Sequence, residues 1–346
     1  MKKNADIADS SKFAVKIENL NFLKNNEYFN DFGEGYTLIG YFLKPQIAYR
    51  PHKKLSIFAG IHLQKYSGMQ KFAEILPAFT VEYRPTNNIS LVFGELRGSI
   101  NHNLTDFVSY NEYVLTQNSE NGLQMLFNYP RIKSDIWINW MQYIFKDSPF
   151  PEKFLFGISN EIKLFETNKK SALNAKLSIV ASHVGGQIDI SEVPIETIIN
   201  TISGLEYCFK INKKYLNEIK LFSHYHSCYD ASPNKRLDYL YGYGIFSGVE
   251  LANKYFDLKL AHWFAEYYFS KYGNPMFQSI SQTKTYSEDQ RAFANAHFFW
   301  TYQPLTFVKL GAGIDLYYDL YNYKTDYSFG FYIKTNFNFK IKKIKK

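Results

Sequence analysis

The chain has 346 residues, a formal net charge of +8 and 18% aromatic residues, with 29 Tyr and 31 Phe against 4 Trp. Five of the eight positive charges belong to the tail lysines Lys340, Lys342, Lys343, Lys345 and Lys346, so the rest carries +3 (8 minus 5) and does not resemble a nucleic-acid-binding protein. The mean hydropathy is −0.32, and no apolar run approaches the ~18 residues of a transmembrane helix, which excludes a helical membrane protein.

Apolar and polar residues alternate in about sixteen segments along the chain, and this period of two is typical of β-strands. The first segment is the weakest, because Phe13, Val15 and Ile17 alternate with polar neighbours and the pattern then fades. If that segment lies outside the wall, or inside it as a plug, fourteen strands remain. The predicted strands are 12–22, 36–50, 55–66, 73–84, 89–97, 120–129, 134–146, 153–165, 171–184, 197–211, 217–229, 239–252, 256–270, 290–303, 306–320 and 326–340.

Short and long polar connections alternate between these segments. Short ones close at Tyr49-Arg50-Pro51, Tyr83-Arg84-Pro85 and Tyr302-Gln303-Pro304, where proline suits a strand end because it cannot donate to a sheet ladder. Longer ones include Gly98–Asn121 and Ser270–Gln290. This alternation predicts short periplasmic turns at one end of a barrel and long outer loops at the other.

The final hairpin shows the two-faced pattern most clearly. Each of its segments runs roughly 13 residues, whereas strands of soluble sheets average ~5–6 and a tilted membrane crossing needs ~9–11. One face of the first segment carries Val308, Leu310, Ala312, Ile314, Leu316, Tyr318 and Leu320, and one face of the second carries Tyr327, Phe329, Phe331, Ile333, Thr335, Phe337 and Phe339. The sequence therefore predicts an all-β fold, a closed antiparallel transmembrane β-barrel whose Tyr and Phe form interfacial girdles.

We expect residues 1–346 to form one barrel domain, with flexible ends at 1–11 and 341–346. The N-terminus has a basic start, Met1-Lys2-Lys3, but no apolar segment behind it. Since a barrel of this kind must be exported to the outer membrane, we expect its signal peptide to have been removed.

These features resemble Gram-negative outer-membrane β-barrels of the porin-like type. The aromatic last strand, Tyr327 to Phe339, is similar to the C-terminal assembly signal of such proteins, although Lys340–Lys346 follow it here. The chain is rich in Asn, Lys and Tyr, and this composition, with segments such as Gly94–His102 and Glu120–Gln124, resembles uncharacterised barrels of Bacteroidota. The resemblance implies an outer-membrane location in contact with lipid, and it transfers no activity or substrate.

The leading functional prediction is a pore for passive or weakly selective passage of small hydrophilic solutes. By position, Gly98–Asn121 is the third outer loop, which folds inward in porin-like barrels, so Arg97, His102, Asp106 and Glu112 are candidates for a constriction; an ordinary surface loop is the alternative. Charges of both signs are expected in the lumen, where they would select ions weakly or pair with one another to fill a closed interior. The further lumen candidates are Glu82, Arg84, Lys309, Asp315 and Lys334.

Motifs for other chemistry are weak. His224 and His226 share a strand face and could hold a metal only with a third ligand, so we predict no metal and no cofactor. No histidine has Ser at the second following position, and no Gly-x-Ser-x-Gly occurs, so we predict that the protein is not an enzyme.

The competing prediction is a structural or partner-binding barrel that docks other outer-membrane proteins. The loops Val184–Glu196 and Ser270–Gln290 carry apolar residues, among them Ile188, Ile190, Met276 and Phe277, which we expect to be exposed. Exposed apolar patches tend to mark interaction sites.

Overall fold

A computed structural model describes residues 13–98, 101–117, 119–167, 170–213 and 215–341, with the side chains of Asn212 and Lys340 excepted. Its strands are β1 (Phe13–Glu27), β2 (Tyr36–His52), β3 (Leu55–Tyr66), β4 (Glu74–Thr86), β5 (Ile89–Glu95), β6 (Asn121–Asn128), β7 (Ile132–Gln142), β8 (Lys153–Thr167), β9 (Ser171–Val184), β10 (Glu196–Lys213), β11 (Leu216–Asp230), β12 (Tyr241–Ala252), β13 (Phe256–Glu266), β14 (Gln290–Leu305), β15 (Val308–Asp319) and β16 (Thr325–Lys340). Each pairs antiparallel with its neighbours in sequence, and β1 closes the barrel against β16. The predicted fold class and the count of sixteen strands are confirmed.

The first strand belongs to the wall, so the fourteen-strand alternative is wrong. β1 pairs with β2 on one side and with β16 on the other, where Val15 is opposite Phe339 and Glu27 is opposite Tyr327. Its alternation is hard to see because Asn19 and Asn21 stand on the outward face. The Asn21 amide donates to Asn19 Oδ1 (2.7 Å), and the Asn19 amide donates to the Phe42 carbonyl (2.8 Å), so these polar groups are satisfied locally.

The connections alternate in length as predicted. Short turns join β2–β3, β4–β5 and each later even-to-odd pair, and they define the periplasmic end. The long loops at the outer end include L3 (96–120), L4 (143–152), L5 (185–195) and L7 (267–289), which are named by their order. L3 holds a short helix, α1 (Tyr113–Thr116), and L7 holds a 3-10 turn, Pro275–Phe277. Across the described ranges, no helix has the length and apolar character needed to cross a membrane.

The barrel wall has an apolar outer face and a mixed inner face. On β9, Leu177 and Ile179 are exposed on the outside, whereas Lys176, Ser178 and Val180 are buried inside. Glycines on the inner face make room for indoles: a Cβ at Gly157 would lie 2.2 Å from Trp137, and one at Gly244 would lie 2.2 Å from Trp263. The two cysteines, Cys208 and Cys228, are free and lie on neighbouring strands.

The hydrophobic core lies inside the lumen, because L3 and L7 fold into it and pack on the inner wall. The buried core residues of largest volume include Trp137, Trp263, Tyr268 and Phe293. The upper lumen is therefore filled by protein, and this arrangement sets the geometry of both candidate sites.

Candidate functional site

L3 crosses the lumen and contacts three regions of the wall. Leu115 packs with Leu20, Phe22 and Phe42 of the first two strands. Leu104 and Val108 pack against Trp137, Val180 and Ile202 on the other side, and Phe107 joins a third cluster with Trp263 and Phe293. Aromatic and aliphatic side chains in L3 thus act as anchors that bury the loop rather than leave it at the surface.

L7 packs over L3 and binds it through backbone and side-chain hydrogen bonds. Asn274 donates to Asp106 Oδ2 (2.6 Å), the Tyr268 hydroxyl donates to the Phe107 carbonyl (3.3 Å), and the Tyr110 N–H donates to the Tyr272 carbonyl (2.8 Å). Burial raises the pKa of Asp106 to about 6, although the hydrogen bonds from Asn111 and Asn274 oppose that rise. The two loops together form one plug.

His102 attaches L3 to the β6–β7 region of the wall. Its Nδ1 donates to Asp135 (2.9 Å) and its Nε2 donates to Glu120 (2.8 Å), while its ring stacks on Trp137 at 3.8 Å. Burial alone would lower the pKa of His102, but the hydrogen bonds from this imidazolium to Asp135 and Glu120 raise it to about 9. At neutral pH it is a buried cation held between two carboxylates.

The other sequence-predicted lumen residues are mostly in ion pairs. Glu82 contacts Arg84 (2.7 Å) and Arg97 (3.8 Å), and the Arg97 guanidinium lies 3.7 Å from the ring centre of Phe58. Asp315 binds Lys24 (3.1 Å) and His297 (2.5 Å). Glu112 is buried, where its carboxylate accepts hydrogen bonds from Asn26 and Tyr110. Lys309 and Lys334 lie on the inward face of the last two strands, toward the periplasmic end.

Below the plug is a charged cavity of about 720 Å³. Its lining runs from Asp106 and Phe107 of L3 down to Glu166, Lys210 and Glu218 beside the periplasmic turns. His224 lines it and bonds to Glu206 (3.1 Å), whereas His226 is buried among Phe107, Trp263 and Tyr268. Among the described residues these histidines are not joined by a third potential metal ligand.

The two loops assigned to docking behave differently. Met276 and Phe277 of L7 are 0% and 3% exposed, so the expectation that they lie on a free surface is wrong; they are part of the plug. In L5, by contrast, Ile188 and Ile190 are exposed, and Ile190 reaches 66%. The amide of Ile190 donates to Ser148 of L4 (2.9 Å), which ties the two loops together above the wall.

A row of outward-facing side chains crosses four strands at the outer end of the wall, directly below L4 and L5. Trp140 of β7 is opposite Phe154 of β8, Phe154 is opposite His183 of β9, and His183 is opposite Thr197 of β10. The rings of Trp140 and Phe154 lie 5.4 Å apart, and those of Phe154 and His183 stack at 4.8 Å. The apolar outer face of β9 ends at Ala181, so this row lies where the hydrocarbon meets the outer headgroups.

His183 and Thr197 form a hydrogen-bonded pair whose polarity is fixed by the backbone. A carbonyl can only accept, so the contact of Nε2 with the Gly185 carbonyl (3.2 Å) places the ring proton on Nε2. Nδ1 is then the acceptor for the Thr197 hydroxyl, at 2.8 Å. The hydroxyl and the base are the two members of a nucleophilic dyad, and the Gly185 carbonyl is the group that orients the base.

Sequence motifs did not find this pair, because its members are separated by the whole of L5 and match no short pattern. A signal was nevertheless present: His183 ends the lipid-facing run Leu173, Ala175, Leu177, Ile179 and Ala181 with an ionisable group. An ionisable side chain at that position marks a functional candidate.

The sequence matches the model of one protein family, Lipid A 3'-O-deacylase-type, over residues 5–344. The chain belongs to this family. Because the family is described by an enzymatic activity, the prediction that the protein is not an enzyme is wrong. A comparison with curated proteins finds no significant match.

Solved structures share the fold at very low identity. OprD of Pseudomonas aeruginosa superposes with a TM-score of 0.56 at 6% identity, over 97% of each chain. A loop-deletion mutant of OmpT from Vibrio cholerae gives 0.54 at 10%, and an anion-selective porin from Comamonas acidovorans gives 0.52 at 7%, each over 94% of this chain and 100% of the other. These likenesses confirm the porin-like outer-membrane fold and the predicted location in the outer membrane.

Proposed function

We propose that the protein is an acyl-ester hydrolase of the outer membrane that removes an ester-linked acyl chain from lipid A in the outer leaflet. The observation that carries the proposal is the His183–Thr197 pair on the lipid-facing rim. Ester groups of a membrane lipid lie between headgroup and hydrocarbon, which is the depth of this row. The family description supplies the substrate class and the 3'-O linkage.

In the proposed reaction, His183 Nδ1 takes the proton of the Thr197 hydroxyl as Oγ1 attacks the ester carbonyl carbon. The bond between that carbon and the lipid's alcohol oxygen then breaks, and His183 returns the proton to the departing alcohol. Water hydrolyses the resulting acyl-threonine by the same proton transfers, which releases a fatty acid. Gly185 keeps the imidazole in the required tautomer throughout.

The surroundings of the pair suit an acylated substrate. Trp140 and Phe154 continue the row on one side as an aromatic shelf, and the exposed Ile188 and Ile190 of L5 lie above it. Acyl chains that lie along apolar side chains avoid contact with water, so the shelf and L5 would hold the chain while the ester faces Thr197.

The test is deacylation of purified lipid A by the detergent-solubilised protein, with the loss of one acyl mass followed by mass spectrometry. We expect Thr197→Ala and His183→Ala to lower the rate on the order of 10²–10⁴-fold, the usual contribution of a positioned base. Thr197→Ser should retain activity because it keeps the hydroxyl. Thr201→Ala, an outward hydroxyl on the same strand, is the control. Full activity in Thr197→Ala would contradict the proposal.

A second candidate function, passive or weakly selective passage of small hydrophilic solutes, is supported by the charged cavity of about 720 Å³. Passage requires the plug to move, because Phe107 and Phe277 fill the lumen above the cavity. Phe107→Ala removes a buried ring whose loss typically costs ~3–5 kcal/mol of packing, so it should loosen L3 and raise single-channel conductance in planar bilayers. Phe145→Ala in L4, 73% exposed, is the control. If neither the unaltered protein nor Phe107→Ala conducts, passage is excluded.

Docking of another outer-membrane protein, the remaining alternative, is supported only by the exposed side chains of L5. Co-purification under gentle solubilisation should then be lost in Ile190→Glu, while a lone barrel in native extracts would contradict it.

A further inference from the structure

A polar patch interrupts the apolar outer face of β10–β13. Ser223 of β11 is directly opposite Ser247 of β12, and Ser247 is directly opposite His262 of β13. The hydroxyls of Ser223 and Ser247 are 2.8 Å apart on the exposed side of the wall. Ser203 of β10 is exposed on the same face, diagonal to Ser223, because it is opposite Tyr225. These four residues are called the wall patch below.

The wall patch lies at the middle of the membrane. Ser247 is near the centre of Tyr241–Ala252, and His262 is near the centre of Phe256–Glu266. The aliphatic side chains of Leu221 and Leu260 around the patch are about half exposed on the same outer face, as a lipid-facing band requires. Trp263, the next residue, is fully buried in the lumen, so His262 must point to the lipid side.

Polar groups at this depth have no water to bind, and ionisable ones are rare in lipid and usually have a function. Within the described part of the chain, His262 forms no hydrogen bond. The outward Asn19 and Asn21 of β1 show how the wall treats other polar groups, because each amide there donates to a neighbouring acceptor. On β9, the corresponding outer positions are the apolar Leu177 and Ile179. Within the wall patch Ser223 and Ser247 bind each other, whereas the His262 imidazole faces the lipid without a partner.

We propose that the wall patch is the contact surface of a homodimer, formed when a second copy of this chain presents the same patch across a two-fold axis. Such an interface must be self-complementary. Serine hydroxyls both donate and accept, and a neutral imidazole does each once, so the wall patch can satisfy a copy of itself. It also contains no carboxylate, lysine or arginine that would demand an opposite charge from a different partner. Hydrogen bonds of this kind join transmembrane segments in lipid.

The dimer would bury the patch and its aliphatic border, Leu205, Leu221 and Leu260, which are each about half exposed. His183 and Thr197 lie at the outer ends of β9 and β10, nearer the outer membrane surface than this contact. In the dimer, each protomer would therefore keep its own His183–Thr197 pair exposed to lipid. The proposal does not depend on the hydrolase reaction.

Disulfide trapping in isolated outer membranes tests the contact. Ser247→Cys places a thiol at the centre of the wall patch, and Leu316→Cys places one at an exposed outward position on β15. Both native cysteines lie on inward faces, and Cys228 is buried, so they add little background. On mild oxidation we expect a cross-linked dimer from Ser247→Cys and at least ten-fold less from Leu316→Cys.

A second measurement uses light scattering of protein in gentle detergent. Ser247→Leu combined with His262→Leu should shift the protein from dimer to monomer with at least ten-fold weaker association, and Asn21→Leu should stay dimeric. Heat-modifiable gel migration checks that each variant is folded. Equal cross-linking at 247 and 316, adducts with a different protein, or a monomeric unaltered protein would each overturn the homodimer.

Discussion

The Gly185 carbonyl decides which nitrogen of His183 carries the proton, and so decides whether Thr197 faces a base or a second donor. Gly185 has φ = +135°, a conformation that residues with a Cβ rarely adopt. A Cβ there would also approach Ile195 to 2.9 Å. One glycine at the start of L5 therefore positions the hydroxyl–imidazole pair.

Gly185→Ala should impair the dyad while leaving the barrel folded. The strained backbone and the contact with Ile195 would move the carbonyl, and a displacement of ~1 Å can cost about 10²-fold in rate. We expect the turnover number for deacylation to fall by that order with a smaller change in KM. Gly68→Ala is a matched control, because Gly68 also has positive φ (+87°) but no atom within 4 Å of an added Cβ. Equal losses in the two variants would contradict a positioning role.

At the scale of elements, L3 is one of the two loops that fill the upper lumen. Leu104, Phe107 and Leu115 of L3 pack against three different regions of the barrel wall. L3 also carries the charged residue His102, which lies between Asp135 and Glu120. A hydrophobic anchor is insensitive to pH, whereas this ion pair depends on the imidazolium. His102 is thus a titratable attachment of L3 that works beside these hydrophobic anchors.

The attachment of L3 through His102 should weaken at alkaline pH, where the imidazolium loses its proton. The pKa of His102 rises from the ordinary 6.5 to about 9 on folding, so its stabilising contribution is complete below pH ~6.5 and is lost as pH rises through about 9. Because the ring stacks on Trp137, deprotonation should change indole fluorescence with a midpoint near pH 9. His102→Gln should abolish that transition. A fluorescence midpoint near pH 6.5 would show that Asp135 and Glu120 do not stabilise the protonated form of His102.

At the scale of the whole molecule, the sequence predicted the wall well and the interior poorly. Period-two alternation is a local property, so even the outward residues of β15 and β16 were assigned correctly from Val308 to Phe339. Burial of Met276 and Phe277 depends on where a long loop folds, and no local pattern encodes that. The asparagines on β1 weakened its pattern although the strand is in the wall.

The candidate site was missed for a related reason. His183 of β9 and Thr197 of β10 are neighbours because these two strands pair in a register that places them opposite each other. Their distance along the sequence does not reveal this contact. The charges predicted for the lumen come from alternation along single strands, and several of them, such as Asp315 with Lys24 and Glu82 with Arg84, form ion pairs. An assignment that weighed lipid-facing polar residues as heavily as lumen charges would have selected His183 and His262.

The most direct test of the hydrolase account is to locate the acyl group on the protein during turnover. Protein incubated with lipid A is quenched in acid, digested, and searched by tandem mass spectrometry for an acylated peptide. The account expects the acyl mass on Thr197, reduced at least ten-fold in His183→Ala and absent in Thr197→Ala. Acylation at another residue, or deacylation that proceeds unchanged in Thr197→Ala, would contradict it.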